Sequence, residues 1–165
     1  MNAKLLLLLA FAAPLFAAET IVPDGVDARL VRVFSEADAS YSVDADGNFL
    51  LMRPVDREHA QPVTVSGATQ VGAGGVETRR VEAVAYQAAR RPDPDALALV
   101  LADRSSKKDR NWEVGKSPDG VHYVRYVCNV AGGASTGYLM DAIDEAALRA
   151  FRGALRLSPG GEPAR

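Results

Sequence analysis

Apolar positions along the chain follow two different periods, and each change of period marks an element. Val26, Leu30, Val33, Phe34 and Ala37 share one face of an amphipathic helix, with Asp27, Arg29, Arg32 and Glu36 mostly off that face. Asp24 is the expected helix cap, and Asp27 three residues on favours the same N-terminus. Tyr41 and Val43 then alternate with polar neighbours, and Phe49-Leu50-Leu51-Met52 returns as a strand across an Asp46-Gly47 hairpin turn. Val63 and Val65 alternate with Thr64 and Ser66, and Val81 to Tyr86 forms a further strand, with Gly72-Ala73-Gly74-Gly75 as the flexible turn between them. Asp93 and Pro94 fit the cap and first position of a second helix, whose stripe is Leu97, Val100 and Leu101. Trp112-Glu113-Val114 and Val121 to Val130 make the last hairpin, joined through Ser117-Pro118-Asp119-Gly120. A final helix, capped by Asp141 or Asp144, carries Ile143, Ala147, Phe151 and Leu155. The order predicts an α+β fold: a mostly antiparallel sheet of five to six strands, with helices before, between and after the strand groups.

The first residues have a different pattern. Met1-Asn2-Ala3-Lys4 is a short positive head, followed by the uncharged, apolar run Leu5 to Ala18. Those 14 residues would span about 21 Å as a helix, short of the roughly 30 Å of a bilayer core. The pattern predicts a signal peptide at 1–18, cleaved after Ala18, and a periplasmic or secreted protein with no stable membrane anchor. A single domain is expected over 19–157, with a disordered Pro/Gly-rich tail at 158–165. Cleavage removes Lys4 and takes the formal net charge from −2 to −3.

That charge balance excludes a nucleic-acid surface driven by clustered Lys and Arg. One cysteine excludes an intrachain disulfide and a multi-thiolate metal site, and two histidines leave little for zinc or copper. Ser42-Val43-Asp44-Ala45-Asp46-Gly47 begins like a calcium loop, but its twelfth position is Arg53, a cation where a carboxylate must bind, so a hairpin turn is expected. Ser105-Ser106-Lys107-Lys108 matches the Ser-x-x-Lys of penicillin-recognising enzymes without their other motifs, and reads as a solvated helix end. Cys128 and His122 share one strand face but sit roughly 20 Å apart at about 3.3 Å per residue, so Cys128 is expected to be a buried, inert thiol. His59 falls in a polar loop and is expected to be solvated. The glycine-rich turn lacks the Lys-Ser/Thr of a phosphate loop, and Arg79, Arg80, Arg90 and Arg91 read as solubilising charge on strand ends.

Several segments together resemble the YbjN-type domain, which is related to the fold of type III secretion chaperones. They are the opening helix ending at Phe34-Ser-Glu-Ala-Asp38, the Tyr41-to-Leu50 hairpin, Pro62-Val-Thr-Val-Ser66, Lys107-to-Val114 and Glu145-to-Phe151. The resemblance covers residues 26 to 155 and implies a small, non-enzymatic α+β domain that binds other proteins or acts in envelope or stress physiology. An export signal departs from cytoplasmic secretion chaperones. No catalytic, cofactor-binding or metal-binding residue is assigned. The expectation is an exported accessory protein of the bacterial envelope acting through a protein partner; edge-strand pairing into a homodimer is open to this fold class. The other reading is a small-ligand-binding module or hydrolase whose site assembles from distant residues such as His59, Tyr86 and His122.

Overall fold

A computed structural model describes residues 26–72 and 74–158. The expected signal segment, Asp24, and residues 159–165 of the expected tail lie outside the described residues. Helix α1 (Ala28–Glu36) is capped by Asp27, whose carboxylate accepts from the backbone N–H of Arg29 at 2.9 Å. The expected cap, Asp24, is three residues too early, because Asp27 is the last extended residue before the helix. Leu30, Val33 and Phe34 turn inward, and Phe34 stacks at 5.3 Å on both Tyr41 and Phe49.

Strands β1 (Ser42–Val43) and β2 (Phe49–Pro54) form the expected first hairpin. Asp44 closes its turn by accepting from the backbone N–H groups of Asp46 and Asn48, and Gly47 takes the left-handed φ of 79°. Strand β3 (Ala60–Val65) pairs along all of β2, and a two-residue β4 (Gln70–Val71) turns through Gly72–Val76 into the long β5 (Glu77–Ala88). The Gly-rich turn thus joins β4 to β5, and β3 reaches β5 by a longer path. Helix α2 (Pro94–Ala102) has Asp93 as its cap and Pro94 at its start, as expected. Strands β6 (Arg110–Lys116) and β7 (His122–Ala131) make the last hairpin. The sheet is antiparallel throughout, in the order β1-β2-β3-β5-β7-β6, with β4 on β5. The fold is α+β.

Helix α3 (Thr136–Leu157) starts well before the expected caps. Ser135 holds the N-terminus by accepting from Tyr138 N–H, while Asp141 and Asp144 lie inside the helix and pair with Lys107 and Arg53. Ala142, Ala146, Ala150 and Ala154 recur every fourth residue and are all buried, so the helix backbone lies close against the sheet. It packs on β2, β3, β5 and β7 and on both other helices. Leu155, expected in the apolar stripe, is exposed, and Leu157 is buried instead. Gly153 sits where an added Cβ would lie 2.7 Å from the Trp112 ring and 3.1 Å from Ala85 Cβ.

On the opposite face, Arg80, Glu82, Glu113 and Arg125 form a ladder of ion pairs. Val127, fully buried, lies in register with Glu82 and Asn111 on this face, among the charged side chains and apart from the main core. In α2, Val100 is fully buried but Leu99 and Leu101 are exposed.

Candidate functional site

The sheet is not closed along its whole length. Strand β3 pairs with β5 only at Thr64–Glu82 and Val65–Val81, although both strands run on well past those positions. In continued register, Val63, Pro62, Gln61 and Ala60 would face Ala83, Val84, Ala85 and Tyr86. They do not pair, and the two strands splay apart into a seam.

Two local features account for the opening. Ser66 N–H donates to Arg80 O at 2.8 Å, so alternate β3 residues, counting back through Thr64 to Pro62, aim their backbone polar groups at β5. Pro62 has no N–H to give, so the ladder loses a donor at its next rung. Gln61 takes over: its Nε2 donates to Val84 O at 2.9 Å, from a side chain that is itself buried. On β5, the register with β7 shifts between Val84 and Tyr86, leaving Ala85 as an extra residue. Such a bulge bends its strand and increases its twist, here at the point where β5 would have to follow β3.

The seam encloses a cavity of about 740 Å³. Residues 60–62 of β3 form one wall and residues 84–88 of β5 the other, with Phe151 and Ala154 of α3 also lining it. His59 stands at the mouth with its ring 5.2 Å from that of Phe151. Its Nδ1 lies 2.9 Å from the Asp56 carboxylate, which also accepts from the backbone N–H groups of Glu58 and His59. The bonds from Glu58, then those from His59, hold Asp56 below the ordinary carboxylate range. The other ring nitrogen of His59, Nε2, has no hydrogen-bond partner among the described residues. Tyr86, on the opposite wall, donates its hydroxyl to Arg90 O at 2.8 Å.

Of the three distant residues singled out in the sequence, the fold therefore brings His59 and Tyr86 to one cavity, whereas His122 is not part of its lining. His59 is exposed in the loop between β2 and β3, as expected, and the same loop sets its ring beside Phe151 of α3. Comparison with protein-family models, with curated proteins and with solved structures finds no match.

A second polar cluster lies under β6 and β7. Arg110, whose side chain is fully buried, pairs through Nη1 with Glu145. Glu145 also accepts from Tyr126 Oη at 2.9 Å and Ser105 Oγ at 3.1 Å. Arg110 Nε and Nη2 have no hydrogen-bond partner among the described residues, and the Tyr138 ring lies 5.5 Å from its guanidinium. The Ser105–Lys108 segment is thus not a solvated helix end. Helix α2 stops at Ala102, and the chain folds back to place Ser105 on Glu145 and Lys107 on Asp141.

Cys128 is fully buried beside this cluster, and burial pushes its thiol up to about 12. Its Sγ–H points at Ala142 O. Arg79 departs most from expectation. It is buried rather than solubilising, donating to Ser66 O and Gly67 O and pairing with Asp27, so it ties α1 to the β3–β4 connection. Arg90 and Arg91 are exposed. No group of three or more His, Cys, Asp or Glu among the described residues is placed to hold a metal ion. No helix among them is long and apolar enough to cross a membrane.

Proposed function

We propose that this chain is an exported, non-enzymatic binding protein of the bacterial envelope, and that it takes part of a protein partner into the β3–β5 seam. The observation that carries this reading is the seam itself. A sheet held open by a proline on one strand and a bulge on the other exposes apolar wall, a buried amide and unpaired strand edge in one place. Natural sheets ordinarily cover or pair such edges. The resemblance to YbjN-type domains fits the same reading, since it implies a small protein-binding domain. The signal-like first eighteen residues supply the address.

A photo-crosslinking residue in place of His59, at the mouth, is expected to give protein adducts in the cell envelope. The same residue in place of Asn111, exposed on β6, is the control. Equal adducts from both positions, or none from either, would remove the reading.

One observation favours a second reading, a small-ligand site or hydrolase. The Asp56–His59 pair orients an imidazole at a cavity whose volume lies within the usual ligand range of roughly 300–1,000 Å³. Ester hydrolysis by the purified protein that disappears in His59→Ala would establish it.

A further inference from the structure

Resting on the binding reading above, we infer that the occupant of the seam is a short extended peptide segment, held by backbone pairing as an added strand. The edges specify that chemistry. Beyond Val65–Val81 and Thr64–Glu82, β3 and β5 both continue but make no ladder with each other. On its other side β3 is fully paired with β2, and β5 is paired with β7 as far as Ala88. What remains free is therefore the facing edge of each strand, and free strand edges are completed by a third strand.

The size agrees. One strand residue fills roughly 160 Å³, taking a rise of about 3.3 Å, a strand spacing of about 4.8 Å and a sheet thickness of about 10 Å. The cavity of about 740 Å³ then holds between four and five residues. The strand walls that line it agree: residues 60–62 on β3 and 84–88 on β5, three to five residues long. The position of Gln61 adds a further detail. Its Nε2 occupies Val84 O, the acceptor that the missing Pro62 N–H leaves open, and does so from a flexible side chain. An incoming backbone N–H can displace that amide, so the edge is kept satisfied when empty without being sealed. Phe151 and Ala154 offer an apolar surface for alternate side chains of the guest, facing α3.

The test uses random heptapeptides displayed on phage, selected on the full chain, and then synthetic copies of the binders methylated at one backbone nitrogen at a time. Strand addition between two edges predicts a contiguous block: successive N–H groups of the guest reach β3 and β5 in turn, so methylation at any of the four or five seated residues weakens binding at least tenfold, and methylation outside that block leaves it unchanged. Bound peptide is also expected to slow amide exchange at Ala60 and Val84, while Asn111 on the far strand keeps its rate. Binding that tolerates methylation everywhere, or loses affinity at a single isolated nitrogen only, overturns strand addition but leaves a protein-binding seam standing. Failure to select any peptide that competes with the His59 crosslink overturns both.

Discussion

Replacing Glu145 by Ala isolates the energetics of the buried Arg110 cluster. The Arg110 side chain is fully buried and Glu145 is 23% exposed, and Arg110 already has two N–H-bearing nitrogens without partners. Removing the carboxylate leaves a buried guanidinium without its paired anion. Breaking a buried pair from one side costs about 3–5 kcal/mol, and the partial exposure of Glu145 places this case near 3. Tyr126 also loses its acceptor, for about 1 kcal/mol more. The Tyr138 ring remains over the cation and offsets only part of this, about 0.5–1 kcal/mol. A net loss of about 3 kcal/mol, with a urea slope of about 2 kcal/mol/M, lowers the unfolding midpoint by about 1.5 M. Equilibrium urea titration followed by Trp112 fluorescence reads it directly. Replacing both partners, Arg110→Met with Glu145→Leu, is expected to recover most of the loss, because the desolvation cost disappears along with the pair. A drop below about 0.5 M in Glu145→Ala, or a double variant worse than the single, would refute the reasoning.

Gly153→Ala is expected to destabilise by about 1–2 kcal/mol, although helix propensity alone favours Ala by about 1 kcal/mol. The new methyl meets a Trp112 ring tied to Asp103 O and packed edge-on to Tyr126, so a higher melting temperature would show that the ring yields. Cys128 is expected to react with Ellman's reagent at pH 8 only as fast as the protein opens, and to label rapidly in denaturing urea; immediate labelling of native protein would contradict its burial. Asp27 is held well below the ordinary carboxylate range, first by the Arg29 side chain and further by Arg79. Its contribution is therefore full above its unfolded value near 3.9 and is lost progressively as pH falls below that. Urea midpoints of Asp27→Asn and the parent are expected to differ at pH 6 and to converge toward pH 2; a gap independent of pH would exclude the ionic origin.

The alternating valines of β3, the Asp-Gly turn before β2 and the Asp93-Pro94 start of α2 were legible in the sequence because each is a local signal. The start of α3 was not. Asp141 and Asp144 look like caps in isolation, yet the helix begins a turn or more earlier at the Ser135 cap, and its first turns already carry Leu139, Ala142 and Ile143 into the core. Arg79 shows the same limit: nothing near it in sequence announces that Asp27, 52 residues away, will neutralise it inside the fold. The seam falls between these cases. Pro62 within a strand pattern is a visible sign of an unpaired edge, and Gln61 beside it is a polar residue in an inward position. The bulge at Ala85 has no sequence mark, because Val81, Ala83 and Ala85 continue an unbroken alternation of buried positions up to it. His59 and Tyr86 were singled out, but only the turn of β2 into β3 explains why they meet and His122 does not.

The long reach of α3 also sets an order on biosynthesis. Every central strand leans on a helix that follows all seven described strands in the chain, so most of the sheet's apolar face stays uncovered until that helix has been made. A growing polypeptide of this kind cannot fold stepwise from its N-terminus and must collapse late, through contacts between distant parts of the chain. The last of the described helices is thus the one that closes the core.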